Sequence, residues 1–235
     1  IIFGESVLKL KSATYIFEEF KNYLLENDKI CDDWNALNIL SKNSSTIGSY
    51  DLNVLSKNSN FEILDNLENN NFEVLMLFGQ DNLKFQKKNE FIVYIGSHGD
   101  KGASIADVIL PGAAYTEQDG YFTNLEGKLQ KAYKASYPPG EAKEDWQIIN
   151  ELSSFIKRKN LYKDKNQLID SLINYLNLNN ENKSDFVVPE YNFKPEKIFT
   201  DEIDYYHSNA IARASKTMSE CKNIRMNLPK TGTDN

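Results

Sequence analysis

Residues 91–130 read FIVYIGSHGD KGASIADVIL PGAAYTEQDG YFTNLEGKLQ, and their pattern decides the fold. Phe91–Ile95 is a short apolar run closed by Gly96, the signature of a fully buried strand. Gly96, Gly99 and Gly102 punctuate a loop that carries Ser97, His98 and Asp100. Ala106–Leu110 is a second apolar run, with Val108 and Ile109 β-branched, and Pro111-Gly112 ends it. Tyr121–Thr123 and Lys128–Gln130 flank Glu126-Gly127, where glycine supplies the positive φ of a hairpin turn. Two buried strands, a glycine-rich connection and a hairpin form one edge of an α/β domain.

Working outward, Phe72–Phe78 (FEVLMLF) is the most apolar run of the chain and ends in Gly79-Gln80-Asp81. It reads as a central parallel strand. Ligands of doubly wound sheets sit beyond the carboxyl ends of strands, so Gly79–Asp81 and Gly96–Asp100 are expected to line one crevice. Ile1–Gly4 reads as the end of another buried strand. Ser12 is placed to cap a helix with Ile16, Phe20 and Leu24 on one stripe. Asp32 and Asp33 precede Trp34, Leu37 and Leu40, which predicts a second helix with Trp34 in the core. Ser41–Asn60 is polar and reads as loops, and Phe61–Leu67 as a helical turn. After Pro138-Pro139-Gly140, acids at 141, 144 and 145 and bases at 157–159 bracket a helix bearing Trp146, Ile149, Leu152 and Ile156. Leu168, Leu172 and Leu176 mark a further helix, Asn177–Asp185 a linker, and Phe186–Lys197 an extended segment. Ser208 is placed to cap a terminal helix with Ile211, Ala214, Met218 and Cys221 on one stripe, which needs a surface to bury it.

The 235 residues suffice for one large α/β domain with an extension, and 40% hydrophobic content supplies a core. The formal charge of −7 argues against a nucleic-acid surface, which needs clustered positive charge. No apolar run approaches the roughly 20 residues of a membrane helix. Cys31 and Cys221 lack neighbours at metal-ligand spacing and read as reduced structural thiols.

His98 and Asp100 are the candidates for contacting a phosphate or relaying a proton, but no second His, Cys or carboxylate cluster accompanies them. The simpler reading makes His98 exposed or hydrogen-bonded in a turning loop. Asp107 and Glu117 form a candidate acid pair, with hydrogen bonds near the strand and in a neighbouring loop as the plainer roles. His207 reads as structural or solvent-exposed, and two histidines so placed make no nucleophilic triad. The spacing of Gly96, Gly99 and Gly102 is not that of a nucleotide loop.

Residues 106–130 (ADVILPGAAYTEQDGYFTNLEGKLQ), followed by 138–152 (PPGEAKEDWQIINEL), resemble the molybdopterin oxidoreductase superfamily. Within it, the chain is most similar to the large iron–sulfur subunit of respiratory complex I, NADH:ubiquinone oxidoreductase, and residues 93–117 are especially close to the mitochondrial form. Weaker similarity covers IIFGES at 1–6, DWNALNIL at 33–40 and DYYHSNAIARASKTMSEC at 204–221, the last resembling that subunit's C-terminus. The resemblance spans most of this chain and the C-terminal part of the family protein.

In active molybdopterin enzymes the motif around Glu117, Asn124 and Gly127 helps build the cofactor-binding fold, and the metal ligand lies in an upstream region without a counterpart here. A dinucleotide-binding domain also follows the helix matched by Glu144–Leu152, where this chain has a linker and a tail. The resemblance therefore implies no catalytic, cofactor-binding or metal-ligating residue in this chain. It implies an α/β domain with a doubly wound, mostly parallel sheet and a hairpin over residues 1–176, without cofactor, and a linker and docking tail over 177–235. The function implied is non-catalytic: scaffolding the complex I peripheral arm that carries electrons from NADH to ubiquinone, on the matrix side of the mitochondrial inner membrane. Iron–sulfur clusters are expected in an N-terminal part or a partner chain. The expected partners are other peripheral-arm subunits, above all a cysteine-rich N-terminal half present as a separate polypeptide, with no nucleic acid and membrane contact only through the complex. The alternatives are a fragment of a molybdopterin-dependent dehydrogenase of the formate dehydrogenase kind, and a free-standing nucleotide- or protein-binding module.

Overall fold

The computed structural model describes residues 1–54, 65–69, 71–81, 86–181, 191–197 and 204–227. They pack into two units with interleaved segments. One gathers Ile1–Leu55, Gly120–Ala132 and Asp164–Glu202, and the other Ser56–Asp119, Tyr133–Lys163 and Ile203–Asn235. Both are mixed α/β, and both contain parallel strand pairs, as the apolar runs bounded by glycine predict.

In the first unit, strand β1 (Ile2–Gly4) pairs in parallel with β4 (Asn38–Leu40). Helix α1 (Ala13–Glu26) lays Leu24 against Phe3 and Leu37 to form the local core, and Phe20 meets Phe3 edge to face at 5.5 Å. Ser12 stands at the N-cap position, but its side chain does not cap the helix. Its buried hydroxyl instead donates to the carbonyl of Lys194 and accepts from the Lys194 amide, both at 2.8 Å. Tyr15 adds ring contacts to Tyr191 and Phe193, so the 191–197 segment, free of helix and strand as expected, is fastened to α1.

The predicted helix around Trp34 is absent. Strands β2 (Ile30–Cys31) and β3 (Trp34–Asn35) form a hairpin across Asp32-Asp33, and β4 follows. Trp34 is 64% exposed, so its expected place in the core is wrong. Three apolar residues at i, i+3 and i+6 span less than two helical turns, and the strand pairing with β1 overrides so weak a pattern. Cys31 and Cys221 are free thiols and both exposed, not buried as small hydrophobes. Helix α2 (Thr46–Asp51) replaces part of the predicted loop, and residues 65–68 are helical, while 61–64 lie outside the described residues.

The expected hairpin forms from β8 (Gly120–Thr123) and β9 (Leu129–Ala132), with Thr123 opposite Leu129. Gly127 turns the chain at φ 77°, and the Asn124 side chain accepts from the amides of Glu126 and Lys128 at 3.0 and 2.9 Å. A helix runs from Lys165 to Glu181, so the predicted linker begins inside it; residues 182–185 lie outside the described residues.

The second unit is built on a three-stranded parallel sheet of β5 (Val74–Phe78), β6 (Phe91–Gly96) and β7 (Val108–Pro111), in that order. Among the described residues β6 is therefore the middle strand, and β5, expected to be central, lies at an edge. One face buries Leu77, Ile92 and Tyr94 against Ala103, Ile105 and Ala106, which belong to or follow the short helix α3 (Lys101–Ile105).

Helix α4 (Asp145–Lys157), which precedes the Lys165–Glu181 helix (α5) in the chain, opens with a capping box. The Glu144 side chain accepts from the backbone of Gln147, and the Gln147 side chain accepts from the Glu144 amide. Glu144 also accepts from the indole N–H of Trp146 at 2.9 Å, and Arg158 ends the helix in the left-handed region at φ 54°. The inward stripe is Ile148 and Leu152, not the Ile149 and Ile156 expected; Ile156 is 70% exposed. In the tail, Asn209, not Ser208, caps α6 (Ala210–Ala214), accepting from the Ala212 amide at 2.9 Å. Ser215, with ψ 118°, breaks the single predicted helix, and α7 (Lys216–Asn227) follows. Among the described residues, no helix is long and apolar enough to cross a membrane.

Candidate functional site: the carboxyl ends of β5 and β6

The carboxyl ends of β5 and β6 do lie side by side, as the sequence predicts. The Gly79 amide donates to the Ile95 carbonyl at 2.7 Å, which continues the β5–β6 ladder past the strand end. What lies beyond is filled with protein side chains. Asp81 is 2% exposed, and Tyr94, on the middle strand, 1%. The Tyr94 hydroxyl lies 3.1 Å from Asp81 Oδ2 and 3.2 Å from the His98 carbonyl oxygen. The Gly102 amide, at the start of α3, donates to Asp81 Oδ1 at 3.2 Å. Burial, then the Asp81 carboxylate, pushes the Tyr94 phenol up to about 12, because a phenolate there would be both desolvated and repelled.

The third member comes from the tail. Arg213 on α6 places Nη2 3.6 Å from Asp81 Oδ2 and Nε 2.8 Å from Asp100 Oδ2. The Nε–H is not aimed at an acceptor, so the Asp100 contact is an ion pair without a directed hydrogen bond. One guanidinium thus bridges a fully buried carboxylate and one that is 38% exposed.

Gly102 explains how these groups come so close. A Cβ there would collide with the Gln80 carbonyl oxygen and reach the Tyr94 ring at 3.0 Å. Glycine lets the loop after β6 fold down on Asp81. The loop that superficially suggests a nucleotide cradle is a packing device: its Gly102 amide is already spent on Asp81. A pterin phosphate would meet two carboxylates and a guanidinium held between them, and these residues do not fit it.

The other candidates are dispersed. The His98 ring lies 3.1 Å from its neighbour Ser97 Oγ, and only its carbonyl joins the network. Asp107 accepts from the Ile92 amide at 2.8 Å and meets Lys87 at 2.5 Å. The amide, then the lysine, holds its carboxyl below the usual value. Glu117 accepts from the Ala114 amide at 2.9 Å. Asp107 and Glu117 therefore take their plainer hydrogen-bonding roles. His207 sits with Ser219 at 3.2 Å and Asp204 at 3.6 Å, beside Lys222. Lys222, then the His207 amide, holds the Asp204 carboxyl low. Among the described residues, no group of three or more His, Cys, Asp or Glu side chains is placed to hold a metal ion. Sequence reasoning missed Tyr94 and Arg213. The signal that could have found the second was a lone arginine among Ala and Ile in 209–215, a setting that asks for a buried acid.

Comparison with known proteins extends this geometry. The chain is 36% identical over 239 residues to the NADH-ubiquinone oxidoreductase 75 kDa subunit of Reclinomonas americana, covering 95% of this chain and 34% of that protein. It is 36% identical over 228 residues to an NADH-quinone oxidoreductase subunit of Rickettsia conorii, covering 94% and 33%. It is 32% identical over 248 residues to the mitochondrial NADH-ubiquinone oxidoreductase 78 kDa subunit of Candida albicans, covering 94% and 32%. The chain thus spans about a third of the length of these relatives. The profile described as molybdopterin oxidoreductase matches residues 1–155, well over half of the chain. With its parallel strands, its hairpin and this match in hand, the chain belongs to the molybdopterin oxidoreductase family and is homologous to a region of the large subunits of NADH:quinone oxidoreductase.

Proposed function

We propose that this chain is the C-terminal, non-catalytic part of the large iron–sulfur subunit of NADH:ubiquinone oxidoreductase. Its role is to scaffold the peripheral arm on the matrix side of the mitochondrial inner membrane. The observation that carries this reading is the filled crevice: at the position where doubly wound sheets hold ligands, Asp81 is engaged by Tyr94, Gly102 and Arg213. The alignment over 94–95% of the chain with subunits of this enzyme supports the assignment to the complex. Electrons from NADH would pass through iron–sulfur clusters held by other polypeptide, and no residue of this chain would touch substrate or cofactor. Residues 1–176 would be the α/β domain without cofactor. Residues 177–235 would be the docking tail, moored within the chain by Lys194 on Ser12 and by Arg213 on Asp81. Partners would be the other peripheral-arm subunits.

The test is to tag this chain in its source cells, extract in mild detergent and follow it on a native gel. Comigration with NADH:quinone oxidoreductase activity, with no molybdenum by elemental analysis, is the expected result. Migration alone, or about one molybdenum per chain, overturns the reading; the latter would point to a molybdopterin-dependent dehydrogenase.

A further inference from the structure

Asp81, Tyr94, Asp100 and Gly102 come from one short stretch of chain, and they share a unit with the tail that supplies Arg213. The acidic pocket they form is set without that tail. Asp81 Oδ1 takes the Gly102 amide at 3.2 Å, and Oδ2 lies 3.1 Å from the Tyr94 hydroxyl. The carboxylate is thus held in one orientation by its own neighbourhood. Its side chain is fully buried, while that of Asp100 is partly open to solvent. One acid at the bottom and one at the rim make a seat for a cation that spreads its charge over several nitrogens, as a guanidinium does.

The tail's side of the contact is slight. Neither α6 nor α7 buries any of its residues, and Ile224 and Met226 are exposed. Asp204, His207, Ser219 and Lys222 bond to one another within the tail. Arg213, between the small residues Ala212 and Ala214, is the charge the tail brings to the pocket. It is loosely seated. Nη2 stands 3.6 Å from Asp81 Oδ2, beyond hydrogen-bonding reach, and the Nε–H is aimed at no acceptor although Asp100 Oδ2 is 2.8 Å away. Guanidinium–carboxylate pairs are strong when two N–H groups point at two oxygens. Here charge, more than directed bonding, holds the arginine.

We propose that Asp81, Asp100 and Tyr94 form a receptor site for one arginine side chain, and that Arg213 is its tethered, exchangeable ligand. The tail is then a strap that a second arginine-bearing segment releases by taking the same place. Emptying the site is costly, because Asp81 would be left buried and uncompensated. Exchanging one guanidinium for another leaves no such charge behind, so the pocket favours replacement over simple opening. Small residues beside the arginine are part of the recognition, since they let it approach the pocket mouth as Ala212 and Ala214 do. The inference stands on this geometry alone and holds whichever assembly the chain serves.

The probe is the peptide SNAIARAS, residues 208–215 with blocked ends, added to the tagged chain as purified from its cells with the proteins that accompany it. A tethered ligand competes at an effective concentration of about 1 mM, so the peptide is titrated to about 10 mM. Hydrogen exchange of the resident Ala212–Met218 amides should rise saturably with peptide, while that of α4 stays constant. A peptide carrying Arg213→Lys should be roughly tenfold less effective, because an ammonium lacks the planar fork that spans two carboxylates. On a chain carrying Arg213→Ala the site has no tethered competitor. There a fluorescent form of the peptide should bind roughly tenfold or more tightly than to the unaltered chain, and ethylguanidinium should raise the Tm where ethylammonium does not. If Arg213→Ala does not fold, the displacement on the unaltered chain decides. Tail exchange unmoved at about 10 mM peptide, or lysine and arginine peptides of equal effect, overturns the inference. Failure of the chain to comigrate with NADH:quinone oxidoreductase would overturn the proposed function and leave this inference standing.

Discussion

Replacing Arg213 by leucine tests whether the tail is fastened to the α/β unit by a buried ion pair. Asp81 is wholly buried as a side chain, and its Oδ2 lies 3.6 Å from the guanidinium. Breaking a buried pair by removing one partner costs about 3–5 kcal/mol, because a charge is left uncompensated. Two donors remain to Asp81, the Tyr94 hydroxyl and the Gly102 amide, which places the expectation near the low end. The half-exposed Asp100 contact adds at most about 1 kcal/mol. A loss of about 3 kcal/mol corresponds to roughly a hundredfold change in the equilibrium between docked and released tail. Hydrogen exchange followed by mass spectrometry in the purified assembly reads this directly. Amides of Ala212–Met218 should lose about two orders of magnitude of protection, while those of α4 are unaffected. Asp81→Asn in the Arg213→Leu background should restore part of the loss, because the stranded charge is then gone, so the two substitutions will not add. If Arg213→Leu changes tail protection by less than about threefold, or if the two effects simply sum, the ion pair is not what holds the tail and the reasoning fails.

Three further outcomes follow from the geometry. Gly127→Val should cost about 1–3 kcal/mol, chiefly through the left-handed backbone, since a Cβ there meets nothing within 4 Å. Gly127→Asn should be clearly milder by thermal denaturation, because asparagine tolerates that region, and equal losses would refute the turn argument. Glu144→Ala should cost about 1–2 kcal/mol, as the capping box opens and the Trp146 indole loses its acceptor, with a change in tryptophan fluorescence as the companion readout. For Tyr94, the folded-state value of about 12 lies above the ordinary value of 10.0, so its contribution is complete below pH 10 and is lost as pH rises through 12. Tyr94→Phe should flatten the alkaline stability profile between those values, and an unchanged slope would refute the assignment.

Much of the local structure was legible in the chain because it depends on neighbours in sequence. Phe91–Ile95 closed by Gly96, the turn at Gly127 and the acid-first helix after Pro139 all formed where turn chemistry and charge placed them. The family was legible too, since 106–130 and 138–152 carry its pattern without help from the fold. Trp34 was misread because a stripe of less than two helical turns is too short to hold a helix by itself, so pairing with another strand decides its state. Which strand is central, which stripe of α4 faces inward and what fills the crevice are outcomes of long-range packing. Arg213 and Asp81 lie far apart in the chain, and nothing around either names the other. Only the tertiary structure brings them together, because burying Asp81 under the Gly102 loop is tolerable only where donors and a cation converge on it.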